Sequence, residues 1–380
     1  MAIIMKFQGI GSYLLHVCGW LGKSARGISA LWVTFAVALL LAPAETRAQE
    51  ERPWRRDGTI SLRSIYDGNV FRLTDSQKNN IGSGSGKYAD MEGATDLILQ
   101  VGVGGELRHG PSSRRMRIGG GATVDAYTTN TRRTHMTLDA YLARSFSSRD
   151  ELKVKVEVTP SEFRRNYLGG GDAVGSPLYQ EGVSTSFGGE VAYARRLIGG
   201  SGPDLDLEIG FLGTSRSVDV LSWRDRSSMG GWIEFDLKIN SDIDMKVEVS
   251  RSRASYTSAS QPVLDLGLVT LETADKDFND TRFGGEVRFD LGSDARLTLE
   301  YERRMRTFLA ELGVDPVYGG REDARNAYGA EIEYEISNRV EMTIGGKYQQ
   351  QVTFRPAGGS TGDEIDYNRA VATFQLAYRR

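Results

Sequence analysis

The chain has 380 residues, a net charge of −3 and one cysteine. This slightly acidic balance argues against a general nucleic-acid binder, which would carry a basic surface. A mean hydropathy of −0.36 excludes a polytopic helical membrane protein, but not a barrel, in which only alternate residues meet lipid.

Lys23 and Arg26 precede an apolar run over 28–42, and Thr46-Arg47-Ala48 then offers small residues at cleavage positions. Basic, apolar, small is the order of a secretory signal, so residues 1–48 are expected to be removed. The run is too short to favour a spanning helix. Cys18 lies inside this leader, which leaves the mature chain without disulfide or thiol chemistry. A short polar lead over 49–57 follows.

The first strand is expected over 59–66, followed by a long polar, glycine-rich stretch over 67–93. Further strands are expected near 95–107, 115–128 and 135–146. From there the alternation keeps restarting. Leu152-Lys153-Val154-Lys155-Val156-Glu157-Val158 puts valines on one side and charges on the other, and 233–239 and 243–249 repeat the pattern. Strand side chains alternate between faces, so each stretch reads as a strand with one apolar and one wet surface.

Tight turns at 147–150, 199–202, 240–242, 292–294 and 337–339 take turns with longer polar loops near 160–182, 215–227, 252–279, 310–325 and 355–366. Outer-membrane barrels have short periplasmic turns and longer outer loops. The expected fold class is therefore all-β. It is a transmembrane antiparallel up-and-down β-barrel of about fourteen strands over 58–380, in a Gram-negative outer membrane, with both mature termini periplasmic.

Several residues test this pattern. Arg144, Arg195, Arg251 and Arg303 share parity with the apolar residues, each toward one end of its strand. A charge at the lipid midplane costs roughly 2–4 kcal/mol, falling to about 0–1 near the interfaces, where long side chains reach the headgroups. Phe146, Tyr256, Phe308, Phe354 and Tyr378, at strand ends, are expected to form an interfacial girdle. Phe187-Gly188-Gly189-Glu190-Val191 recurs as Phe283-Gly284-Gly285-Glu286-Val287. That echo fits either hairpin duplication or the shared demands of curved strands. In the last strand Ala372, Phe374, Leu376 and Tyr378 form one apolar face, similar to the terminal signal read by the outer-membrane assembly machinery, with Arg379 and Arg380 added behind it.

The segment Ser64-Ile65-Tyr66-Asp67-Gly68-Asn69-Val70-Phe71 resembles the Tyr-Asp-x-Asn-Val-aromatic opening of a family of proteobacterial outer-membrane β-barrel porins. That group includes barrels associated with capsular or exopolysaccharide export. The resemblance implies a transport role and supplies no substrate.

On the wet face, the expected lumen lining comprises Glu106, Glu157, Glu190, Glu234, Glu286, Arg288, Glu300, Arg304, Glu331 and Glu333, within a wider set richer in acids than in bases. Rings of charge set ion selectivity, so one reading is a hydrated, mildly cation-preferring passage. The other is a cross-strand ion-pair network that fills the interior.

No catalytic, cofactor or metal site is expected. His135 shares parity with Asp139, but nothing places a third group beside them. Asp275, Asp277 and Asn279 match the first spacings of a calcium loop that would end at Glu286, yet Asp280 replaces the required glycine. The expected function is a porin-like conduit for hydrophilic solutes or an exported polysaccharide. The alternative is a closed structural or receptor-like barrel acting through its outer loops. Expected partners are outer-membrane lipid and lipopolysaccharide, the barrel-assembly machinery and periplasmic chaperones during biogenesis, and the solute itself, with no nucleic acid.

Overall fold

A computed structural model describes residues 54–81, 83, 88–168, 179–199, 203–219, 221–257, 260–265, 268–273, 276–312, 315, 317–356 and 366–379. The expected leader lies outside the described residues, as do Cys18, Asp275 and the glycine run at 169–171.

Alternation becomes strand almost throughout. In chain order these are β1 (Arg55–Asp67), β2 (Asp96–His109), β3 (Met116–Tyr127), β4 (His135–Ser145), β5 (Asp150–Leu168), β6 (Tyr179–Ile198), β7 (Asp204–Val218) and β8 (Arg226–Lys238). There follow β9 (Ile243–Tyr256), β10 (Ser260–Asp265), β11 (Leu268–Thr273), β12 (Phe278–Asp290), β13 (Ala295–Phe308), β14 (Glu322–Ser337), β15 (Val340–Phe354) and β16 (Tyr367–Arg379).

Fourteen of these close into one barrel in the order β1-β16-β15-β14-β13-β12-β9-β8-β7-β6-β5-β4-β3-β2, while β10 and β11 pair only with each other. Every barrel neighbour is antiparallel, and β1 pairs with β16 from Thr59↔Arg379 to Asp67↔Val371. Closure leaves no strand edge with unpaired backbone groups. Short turns gather at one end, here the turn end, and the longer connections at the other, the loop end.

The structure corrects several sequence boundaries. β1 starts at Arg55, inside the expected lead. The loop expected over 160–182 is largely strand, because β5 continues past Pro160 to Leu168. Register shifts between Thr159 and Glu162 and between Phe163 and Asn166 absorb the proline, which has no N–H to give the ladder. The loop expected over 252–279 contains the β10–β11 hairpin.

The outward face is apolar. Ile60 lies between Tyr378 and Val103, and Leu62 between Leu376 and Val101, all exposed on one face. Phe211 is 70% exposed. Of the expected girdle, Phe146, Phe354 and Tyr378 are exposed. Tyr256 and Phe308 instead pack inward with Ala254, Phe278 and Tyr318. They share parity with polar lining residues: Phe308 follows Arg304 and Arg306 on the same face.

The described residues contain no helix long and apolar enough to cross a membrane. One helical turn, α1 (Asp75–Lys78), is capped by Thr74, whose side chain accepts from the Gln77 N–H while the Gln77 side chain accepts from the Thr74 N–H.

Candidate functional site: the interior of the barrel

Strand register places each expected lining residue on the face opposite the apolar one. Glu106 (β2), Glu157 (β5), Glu190 (β6) and Glu234 (β8) share the face of Gly119, Asp139, Gly188 and Glu208, respectively. Glu286 and Arg288 (β12), Glu300 and Arg304 (β13), and Glu331 and Glu333 (β14) continue it. These residues do not form one ring. Charge along the interior is divided by height.

Toward the turn end, carboxylates dominate. Glu208, Glu234 and Glu248 lie directly opposite one another across β7, β8 and β9. Only Glu234 is neutralised in that row, by Lys246 at 2.9 Å. Elsewhere Lys155 meets Glu157 at 3.5 Å, Lys347 meets Glu300 at 3.2 Å, and Arg288 pairs with Glu286. Glu106 accepts from both the Tyr141 hydroxyl and Arg108. Like charges directly opposite destabilise a sheet unless solvated or paired.

Toward the loop end, arginines dominate, and sequence reasoning missed most of them. Arg216 and Arg226 lie directly opposite each other on β7 and β8, and neither forms an ion pair with a described residue. Arg304 is held by Asp280 through two Nε contacts of 2.8 Å. Arg325 pairs with Glu302, which Arg282 also approaches at 3.9 Å. Arg369 donates from Nε to Asp67 Oδ1 at 2.9 Å and from Nη2 to Oδ2 at 2.5 Å. Parity with Glu286 and Arg288 was a usable signal for Arg282. For Arg216, Arg226 and Arg325 it was hidden, because those positions fell in expected loops.

The segment after β1 turns inward here. The Gly68 N–H donates to the Ala370 carbonyl at 2.8 Å, and the Val70 N–H to the Ala94 carbonyl at 2.8 Å. Asn69 is fully buried. Its Nδ2 donates to the carbonyls of Leu73 (2.7 Å) and Asn368 (3.0 Å), and its Oδ1 accepts from the Leu73 N–H at 2.8 Å. Arg133 donates to the Val70 carbonyl at 3.2 Å and stacks over Phe71 and Tyr127. The resembled Tyr-Asp-x-Asn-Val segment is thus a lock between the first and last strands. It presents Arg72, which is solvent-accessible and has a φ of +56°. Partial desolvation of its guanidinium and the Arg369, Arg325 and Arg304 charges hold Arg72 below the ordinary arginine value, while Tyr367 pulls the other way.

The β1–β3 wall carries many small side chains, with Asp57, Glu106, Arg108 and Asp139 among them. Thr59, Ser61, Gly102, Gly104, Gly121 and Thr123 help line a recess of about 420 Å³. Tyr141 lies flat beside it over Gly119, where a Cβ would overlap its ring.

At the rim, Arg224 stacks 3.7 Å over the Tyr167 ring, and Lys276 Nζ sits 4.2 Å over Trp223. Burial, then the Arg224 charge, push Lys276 down to about 7, with Asp315 opposing.

His135 faces Asp125 at 3.4 Å, and its Nδ1 lies 2.8 Å from the Arg133 carbonyl. Among the described residues no group of three His, Cys, Asp or Glu side chains is placed to hold a metal. Asp277 accepts from the Tyr256 N–H at 2.8 Å, and Asp280 is engaged by Arg304.

No family model matches the chain, and no curated protein matches it. Among solved structures it is similar to the outer membrane channel DcaP of Acinetobacter baumannii, at 12% identity over 89% of this chain and 100% of that one, with a TM-score of 0.42. It is also similar to a loop-deletion mutant of OmpT, an outer membrane protein of Vibrio cholerae, at 8% identity over 87% of this chain and 100% of that one, with a TM-score of 0.40. At such identities these likenesses assign no residue of this chain a role.

Proposed function

We propose that the chain is an outer-membrane barrel and a passive conduit for hydrophilic solutes. The observation that carries this is the division of its two faces. The outward face exposes Leu97, Leu99, Val101 and Val103 in one strand and Met245, Val247 and Val249 in another. A dissolved monomer rarely leaves a contiguous apolar band of that extent in water. The inward face holds charges at both ends and a recess lined by glycine, serine and threonine together with Asp57, Glu106, Arg108 and Asp139. Eight-stranded interiors fill with side chains, whereas sixteen-stranded ones hold water. The polar recess on the β1–β3 wall supports a wet passage in this fourteen-stranded case.

In this reading the turn end faces the periplasm, the loop end faces outward, and the lining carboxylates from Glu106 to Glu333 solvate the inner half. Lipid and lipopolysaccharide surround the band, and the apolar face ending at Tyr378 is what the assembly machinery reads. An exported polysaccharide is the solute implied by the resemblance of the Tyr66–Phe71 segment. Purified, folded protein should give discrete conductance steps in planar bilayers. Silent bilayers with demonstrably inserted protein would overturn the proposal.

A second reading has an observation of its own. Asn69 and Asp67 lock the start of the first loop onto the last strand, a fixed loop that favours a closed barrel acting through its outer loops. Deleting 252–279 would then abolish activity and leave the bilayers silent throughout.

A further inference from the structure

Resting on the conduit reading, we propose that Arg72 completes an anion-binding site in the loop-end half of the passage. There the carboxylate or phosphate oxygens of a hydrophilic solute sit between Arg72 and the guanidiniums of Arg304, Arg325 and Arg369.

Three independent observations converge on it. The first is charge. Asp280, Glu302 and Asp67 already take up Arg304, Arg325 and Arg369, one carboxylate to each. Arg72 forms no ion pair with a described residue; Asn69, three positions before it, is bonded to the Asn368 carbonyl next to Arg369, and Arg304 lies directly opposite Arg325 across β13 and β14. Asp280 is shared with Arg306 at 3.6 Å and Glu302 with Arg282 at 3.9 Å, so cations already outnumber carboxylates among these groups, and Arg72 adds to the surplus. In a confined site of lowered dielectric, that surplus attracts anions more strongly than it would in bulk water.

The second is backbone. Arg72 is a non-glycine residue in the left-handed region, at a φ of +56°. Such a conformation persists only where its surroundings over-determine it, and it clusters at ligand clamps. The surroundings do so here. The Arg72 N–H donates to the Asn69 carbonyl at 3.0 Å, and Leu73, 1% exposed, anchors the next position. Nothing in this turn needs an arginine for its own stability, because its hydrogen bonds come from Asn69 and the main chain.

The third is accessibility. Arg72 is exposed while its neighbours Leu73 and Thr74 are buried. Its fork of donors therefore meets solvent and can take a pair of oxygens bidentately. Carboxylate and phosphate present the same paired oxygens, so the shared chemistry defines the class.

The test uses folded protein in two formats. In planar bilayers under a KCl gradient, the wild type should show a reversal potential of anion-preferring sign. Arg72→Gln should move it toward neutrality, and Arg72→Lys should retain it. In detergent, calorimetric titration with a trimeric uronic acid and with inorganic pyrophosphate should give binding that Arg72→Gln weakens about tenfold, while neutral maltotriose gives none. Heat from the uronic acid alone or from pyrophosphate alone would support the site and fix which oxygens it takes. Equal titrations for wild type and Arg72→Gln, or a cation-preferring wild type, would overturn the inference. Absence of any conductance would remove the conduit reading while the titration still judges the site.

Discussion

Arg369 grips Asp67 with two nitrogens, and so ties the last strand of the barrel to the end of the first. Asp67 is 1% exposed and also accepts from the Asn69 N–H at 3.0 Å. One carboxylate therefore closes the β1–β16 seam and aims the loop that carries Arg72. Removing one partner of a buried pair leaves the other charge uncompensated, at a cost of about 3–5 kcal/mol. Asp67→Asn is expected to lower the unfolding midpoint in detergent by a corresponding amount. It should also raise single-channel conductance as the loop withdraws. An unchanged conductance in a destabilised variant would show that the loop does not narrow the passage.

Arg72→Gly separates strain from charge. An L-residue in the left-handed region costs roughly 1–2 kcal/mol, and glycine gives back roughly 0.5–1 kcal/mol in unfolded-chain entropy. The variant is expected to be as stable as the wild type or up to about 1 kcal/mol more so by denaturant unfolding, while losing anion preference. A marked loss of stability would mean that the side chain, rather than Asn69, holds the turn.

The strands were legible because alternation is a local property. Leu152 to Val158 needs no knowledge of its neighbours to declare two faces. The inward loop was not legible. Its anchors join Asn69 to Asn368 and Asp67 to Arg369, contacts about three hundred residues apart that no local pattern encodes. The arginine half of the interior lay between these cases. Arg216, Arg226 and Arg325 were hidden by strands that run farther past the apolar band than hydrophobicity shows. Of the loop-end arginines, the sequence reading put Arg304 on the lining and passed over Arg216, Arg226 and Arg325.

Gly210 lies opposite Trp232 on the inward face, and a Cβ there would overlap the indole ring. Trp232 is 9% exposed, so its ring is packed on most sides. Overpacking of this kind costs about 1–3 kcal/mol. Gly210→Ala is expected to lower the urea midpoint and shift tryptophan emission. Gly285→Ala, where nothing lies within 4 Å of the added carbon, should change neither. Equal effects from the two substitutions would refute the ring contact as the cause.

Lys276 makes the loop-end rim sensitive to pH. Burial, then repulsion from Arg224, put its folded pKa at about 7, against an unfolded value of about 10.4. Between those values the unfolded chain binds a proton that the folded barrel does not, so this group makes stability rise with pH across the window. Below about pH 7 both states are protonated and the penalty is fully present. Lys276→Met should therefore be more stable than the wild type at about pH 6, with the difference fading by about pH 10. The rim also loses one positive charge as pH rises through about 7, which should weaken anion preference in the wild type there, a step that Lys276→Met should lack. If the variant shows the same pH-dependent reversal potential as the wild type, the titrating charge lies elsewhere on the lining.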